Sequence, residues 1–346
     1  MATIKDVAKK SGFSICTVSR ALSGKGYLKE ETRQKIMQAV KELNYHPNTL
    51  ASNLKTGKRQ TLALILPSLT NISYAKLEKY MEAYASQKGY LLYLSNSDYS
   101  LEKEKHIINT LIGMDIAGVI IAPTTREHAH IQKLAESNIP YIYLNRHFED
   151  DLAHCLHVDH EAAVYHAISY IIKQGHRNIG GIFQDFDISC HEEKYNGLLK
   201  AMDEHGLVCA PEKFLFDINP EDPNTSHKIL HLLQMPNRPD VIFADSDMTA
   251  FSIYRAAYIL GLRIPEQLSV FGYDDCIMAN FVTPPLSTIS VPAKKMASAC
   301  IDFIHHYLET GELKELPLLK AAPVIRNSVR KVYNGPVTES GSGHDS

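Results

Sequence analysis

The sequence predicts an α/β protein built from two doubly wound parallel sheets with crossover helices, preceded by a small all-α module. Three observations carry this prediction. The first sixty residues hold twelve Lys or Arg against four Asp or Glu, a surplus of +8, although the 346-residue chain has a formal charge of only −3. Within that basic stretch, apolar residues recur at helical spacing around a glycine corner. From Thr61 onward, short apolar runs alternate with helical patterns, as parallel strands joined by crossover helices require. The remainder of the chain holds 24 basic and 35 acidic residues, a balance of −11. A basic module on an acidic body points to a polyanion as the partner of the first part.

In the module, Thr3 can cap a helix, with Asp6 three residues on in the reciprocal capping position, and Ile4, Val7 and Ala8 fall on one face. Gly12 has the freedom to end this helix, Phe13 can plug the corner, and Ser14 caps a second helix starting at Ile15. Val18, Ala21 and Leu22 form the buried stripe of that helix, and Ile15, Cys16 and Arg20 point away from it. A third helix over 31–43 adds Ile36, Val40 and Leu43 to the core. Such a helix-turn-helix can place one helix end against base edges in a major groove. Helix pairs joined by Gly also occur in all-helical proteins that never meet DNA, so it is the charge surplus, and still more the stretch after Leu43, that favours a duplex. Residues 44–59 hold a stop at Pro47, a cap at Asn48, about two turns of possible helix and a basic exit. So short a helix orders only against a partner.

The expected strands of the body are 62–66, 91–94, 118–121 and 141–144, then 179–183, 214–216, 241–244 and 269–271. Between them lie helices such as 76–87, 102–111, 192–205 and 248–260. Ligands of doubly wound sheets bind outside the carboxyl ends of strands, which selects Ser73 and Tyr74, Asn145 and Arg146, Ser246 and Asp247, and Asp274. A fixed Asp274 carboxylate can accept hydrogen bonds from adjacent hydroxyls, as a sugar offers; Asp274 and Asp275 can equally cap a turn. Six scattered cysteines without a Cys-x-x-Cys pair fit reduced thiols. His154, Cys155, His157 and Asp159 lie close together, but neighbouring positions on a strand point to opposite faces, so a metal shared by all four is not expected. No dinucleotide glycine fingerprint, Walker loop or nucleophile elbow is present, so no cofactor and no enzymatic activity is expected. No apolar stretch is long enough to cross a bilayer and no secretory core opens the chain, which places it in the cytoplasm, away from membranes. Three functional classes are weighed: a ligand-responsive DNA-binding regulator, a solute-binding protein, and a nucleotide-dependent enzyme.

An ordered series of motifs resembles the lactose and galactose repressor family of bacterial transcription regulators: Thr-Ile-Lys-Asp-Val-Ala at Thr3, Thr-Val-Ser-Arg at Thr17, Glu-Glu-Thr-Arg at Glu30, Tyr-His-Pro-Asn at Tyr45, Gly-His-Arg at Gly175, Ser-Asp at Ser246, Gly-Tyr-Asp-Asp at Gly272 and Pro-Pro-Leu-Ser-Thr-Ile at Pro284. The resemblance covers nearly the whole chain. It implies a helix-turn-helix DNA-binding domain over 1–46, a hinge helix and linker over 47–60, and a two-lobed periplasmic-binding-protein-like core over 61–333. One lobe takes about 61–160 and 291–320 and the other about 161–290 and 321–333, with crossings near 160, 290 and 320. The tail, 334–346, has linker composition without the apolar heptads of a tetramerising helix, so it reads as disordered and the chain as a homodimer.

The resemblance also implies roles for particular residues. Ser14, Ile15, Cys16, Thr17 and Arg20 fall at the operator-contacting positions, Arg20 suited to guanine and Ile15 and Cys16 to thymine methyls. Ile15 can instead be a core residue. Leu54, beside Lys55, falls where the family wedges a leucine between base pairs in the minor groove. Ser73, Tyr74, Arg146, Lys194, Ser246 and Asp274 become the effector set, the effector being a sugar or sugar derivative. Two departures leave its class open: Lys194 stands where many members have Arg, and Asn145 where many have Asp. With no Trp in the chain, Tyr74, Phe148 or Phe186 would have to stack on a sugar ring, or each is simply core.

Overall fold

The computed structural model describes residues 2–23, 27–45, 59–114, 116–220 and 222–332. Contacts divide the chain between Gln60 and Thr61 into two units.

The first unit holds helices α1 Ile4–Ser11, α2 Ile15–Ser23 and α3 Glu30–Glu42. The Thr3 backbone N–H and hydroxyl donate to Asp6 Oδ2 at 2.8 and 2.7 Å, closing the reciprocal cap and holding the Asp6 carboxyl below its usual range. Gly12 ends α1 at φ +75°, a left-handed conformation that an L side chain resists. The Ser14 hydroxyl accepts from the Thr17 N–H at 3.2 Å and so caps α2. Val7, Val18 and Ile36 are fully buried, Ala8, Ala21 and Ala39 nearly so, and Ile4, Phe13, Leu22, Leu28, Val40 and Leu43 pack around them. Ala39 and Leu28 were not foreseen in this core. An alanine buries little surface, so it barely marks the periodicity.

In the second unit, strands β1 Thr61–Leu66, β2 Leu91–Asn96, β3 Gly118–Ile121, β4 Tyr141–Leu144 and β5 Cys155–Leu156 form a parallel sheet in the order β2-β1-β3-β4-β5. Helices α4 Ser73–Gln87, α5 Leu101–Gly113 and α6 Ala129–Glu136 cross over between its strands. Leu62, Leu64 and Leu66 face α4 and a late helix, α11 Ala293–Thr310, whereas Ala63 and Ile65 face α5 and α6. Burial on both faces is why β1 is one continuous apolar run.

The second lobe repeats the plan with β7 Ile179–Ile182, β8 Phe214–Leu215, β9 Val241–Ala244 and β10 Ser269–Phe271, ordered β10-β9-β7-β8 and parallel. Its helices are α7 His160–Lys173, α8 Ser189–Glu204, α9 Pro223–Gln234 and α10 Asp247–Ile259. At Gly197 an added Cβ would stand 2.3 Å from the Glu161 carbonyl oxygen, so glycine is what lets α8 lie against α7. Two short strand pairs carry the chain between lobes: β6 Val158–Asp159 beside β12 Leu319–Lys320, and β11 Thr288–Ser290 antiparallel to β13 Ala322–Val324.

Several boundaries differ from expectation. Helix α4 starts at Ser73 rather than 76, and α8 at Ser189 rather than 192. The added first turns, 73–75 and 189–191, include Ser, Tyr and His residues that an apolar periodicity does not count. The strands expected to reach 183 and 216 end one residue earlier. Most of the hinge stretch and the tail 334–346 lie outside the described residues. Among the described residues, no helix is long and apolar enough to cross a membrane.

Candidate DNA-reading helix and interlobe cavity

On α2, Val18 is fully buried while Ile15 is 42% exposed and Cys16 and Arg20 are exposed. Arg20 Nη2 lies 3.9 Å from Cys16 Sγ, so guanidinium, thiol and branched aliphatic chain share the outer side of this helix. The Ser14 and Thr17 hydroxyls lie 2.9 Å apart and serve the cap. Leu54 and Lys55 lie outside the described residues.

In the second unit, Ser73, Tyr74, Arg146, Lys194, Ser246 and Asp274 all line one cavity between the lobes, at the carboxyl ends of the strands. Its volume is about 90 Å³. Arg146 and Lys194 are buried. Arg146 Nε donates to the Pro123 carbonyl at 3.1 Å and Nη1 to the Asn145 carbonyl at 2.9 Å, which fixes the guanidinium. Lys194 Nζ donates to the Asp245 carbonyl at 2.8 Å and sits 4.1 Å from the centroid of the Tyr273 ring, a cation–π arrangement. Asp274 holds a backbone φ of +114°, tied by its N–H to the Ile289 carbonyl at 2.8 Å. Burial pushes its carboxyl up to about 6, against the opposing pull of Lys194.

Other candidates go elsewhere. Asp247 does not line the cavity: it is fully buried, accepting from the Thr288 hydroxyl at 2.6 Å and the Cys276 N–H at 2.8 Å. Burial, with Asp274 nearby, pushes its carboxyl up to about 7. Ser246 reaches the cavity, but its hydroxyl accepts from the Thr249 N–H at 3.2 Å and caps α10. Phe148 packs in the first lobe's core, and Phe186 joins an aromatic cluster with Phe183, Tyr195 and Phe216, so of the three stacking candidates Tyr74 alone faces the cavity. His154 pairs with Asp151, His157 pairs with Glu193 at 2.9 Å, and Asp159 caps α7. Among the described residues no group of three suitable side chains could hold a metal.

Sequence reasoning missed Cys190 and His191, which line the cavity because α8 begins early, and it missed Gln184 beyond β7. It also missed His160. This buried histidine has Nε2 2.6 Å from Asn145 Oδ1 and Nδ1 2.5 Å from the Tyr273 hydroxyl. Burial, reinforced by Lys194, holds its pKa well below the ordinary range, so the ring is neutral: Nε2–H donates to Asn145 and Nδ1 accepts from Tyr273. His160 thereby joins the end of β4 in one lobe to the end of β10 in the other. Further ties across the cleft are Lys76 to Asp275 at 3.6 Å, Arg126 to Glu192, and the His147 N–H to the Ser189 hydroxyl at 3.0 Å.

Residues 3–48 match the family described as bacterial regulatory proteins, lacI family, and residues 168–329 match the periplasmic binding protein-like domain. The HTH-type transcriptional regulator DegA of Bacillus subtilis (strain 168) is 31% identical over 300 residues, which are 86% of this chain and 88% of that protein. Catabolite control protein A of Priestia megaterium is 27% identical over 307 residues, 88% of this chain and 92% of that protein. Among solved structures, the lac repressor dimer bound to operator and the anti-inducer ONPF superposes with a TM-score of 0.82 at 21% identity, covering 95% of this chain and 99% of that one.

Proposed function

The chain belongs to the lacI family of bacterial regulatory proteins and is a DNA-binding transcriptional regulator, and from that premise we propose that it represses carbohydrate-related genes as a homodimer on a palindromic operator, under control of a small effector in the interlobe cavity. The observation that carries the reading is the division of α2 into a buried side at Val18 and an outer side presenting Ile15, Cys16 and Arg20. Arg20 reads guanine through its planar fork, and Ile15 and Cys16 select thymine methyls. Two such helices, related by a two-fold axis, meet successive major-groove faces of one duplex. The lac repressor structure is itself that of a dimer bound to operator and an anti-inducer.

The effector is a sugar or sugar derivative held by Ser73, Tyr74, Arg146, Lys194 and Asp274, and its binding changes the set of the lobes. Residues 47–60 couple that change to DNA as a hinge that orders on the operator, with Leu54 wedged into the minor groove and Lys55 on the backbone. The relatives are transcriptional regulators, so the transport and enzyme readings fall away. Selection of operators from random duplex DNA tests the proposal. The wild type should enrich a palindrome with one guanine per half-site that Arg20→Ala no longer requires, at a loss of about 1–3 kcal/mol there. Identical preferences for both proteins would refute the assignment.

A further inference from the structure

The charge lining the cavity bears on the chemistry of what fills it, an inference that rests on the effector reading above. Arg146 and Lys194 are only 5% and 4% exposed, yet among the described residues neither has a carboxylate oxygen within 4.0 Å. Their partners are carbonyl oxygens, an aromatic face, the Tyr74 hydroxyl and the Cys190 thiol, 3.5 Å from Arg146 Nη1. Burying a cation without a counter-ion is costly, and proteins ordinarily pair it. The cations that tie the lobes together do so: Lys76 meets Asp275 at 3.6 Å and Arg126 meets Glu192. Asp274 is the carboxylate that lines the cavity. Asp245 lies behind its wall, engaged by the Gln184 N–H at 2.7 Å and by His191 at 2.8 Å. The buried Ser73 hydroxyl, also at the cavity, lies beside the Asp274 carboxylate.

We propose that the effector is a small polyol carrying one anionic group, a carboxylate or a phosphate monoester, that seats on Arg146 and Lys194 while its hydroxyls meet Ser73 and Asp274. The anion supplies the counter-charge these two cations lack, and charge-assisted hydrogen bonds to it are the strong ones. Proton linkage separates this from a neutral sugar. Facing Asp274 are Lys194 on α8, Ser73 and Tyr74 on α4, Tyr273 beside it, and Asp245 and Asp247 at the turn from β9 to α10. An added negative charge drives Asp274 further toward its protonated form, so an anionic ligand binds tighter at pH 6 than at pH 8. A neutral polyol that donates its hydroxyls to the Asp274 carboxylate binds tighter at pH 8.

Calorimetric titration of the full-length protein tests this with glucose, galactose and mannose, each beside its aldonate and its 6-phosphate. At least one anion should bind about tenfold tighter than its neutral parent, and Lys194→Gln and Arg146→Gln should each weaken it by about tenfold or more. The aldonate arm, read at pH 6 and pH 8, gives the sign of the proton linkage on wild-type protein, whether or not the variants fold. The ranking of aldonate against phosphate identifies the anion. A neutral sugar binding as tightly as its anions, a reversed pH dependence, or no binding by any anion of the series would overturn the inference. A neutral sugar that binds and alters operator affinity would overturn it while leaving the effector reading intact. Anions that bind without altering operator affinity would instead remove the effector reading.

Discussion

Replacing His160 by leucine removes the group that joins Asn145 to Tyr273. The substitution roughly conserves volume, so its cost is mainly the two polar atoms left behind. The Tyr273 hydroxyl belongs to a residue 1% exposed, and its loss falls in the full range for an unsatisfied buried group, about 1–3 kcal/mol. Asn145 borders the cavity, where water can reach it, so its share is about 1 kcal/mol. Together they predict a destabilisation of about 2–4 kcal/mol at pH 7.5. Urea unfolding followed by circular dichroism measures it, since the chain has no Trp for fluorescence. His166→Ala, on the exposed side of the same helix, should fall within about 0.5 kcal/mol of wild type. The pH dependence has a definite sign. His160 is depressed in the folded protein below its usual 6.5, so its unfolded form gains a proton first. Its stabilising contribution is present above pH 6.5 and is lost as pH falls, so the gap between wild type and His160→Leu should narrow toward pH 5. A His160→Leu midpoint equal to that of the His166 control, or a gap that widens on acidification, would refute the reasoning.

Gly197→Ala places a methyl group against the Glu161 carbonyl oxygen and should destabilise the core by about 1–3 kcal/mol in the same urea assay; an unchanged midpoint would show that α7 and α8 can separate freely. Asp247 titrates the opposite way to His160. Its folded carboxyl stands at about 7 against an ordinary 3.8, so its contribution is present below pH 4 and is lost as pH rises through 7. Compared with Asp247→Asn, wild type should therefore lose stability between pH 5 and pH 8, and parallel pH curves would contradict this. Leu54→Ala should weaken binding to a palindromic operator in gel shifts while leaving calorimetric titration of the cavity unchanged; equal operator affinity would dismiss the wedge.

The order of elements could be read in advance because each rests on local chemistry. Thr3, Asp6, Gly12 and Ser14 act within three or four residues of their partners, and the runs in β1, β3 and β4 are apolar throughout because both faces of the sheet are covered. The strand-end rule found Ser73, Tyr74, Arg146 and Asp274 for the same reason: a position just past a strand is a local property, and the cavity forms where strands end. Lys194 came through the family resemblance alone. The rule also drew in Asp247, whose carboxylate turns inward to Thr288 and Cys276. Cys190 and His191 were missed because α8 begins three residues before its expected start, and Gln184 was passed over although it lies just beyond β7.

By itself, then, the sequence determined the helix-turn-helix, the two alternating halves and the charge asymmetry between them, all consequences of neighbours within a few residues. Tertiary structure alone decided which titratable groups share low-dielectric surroundings. Burial and long-range approach leave His160 neutral between two lobes, raise Asp247 and Asp274, and strand the charges of Arg146 and Lys194 beside a cavity. Asn145, His160 and Tyr273 are separated by up to 113 residues in the hydrogen bonds that join them, a distance over which local propensity carries no information.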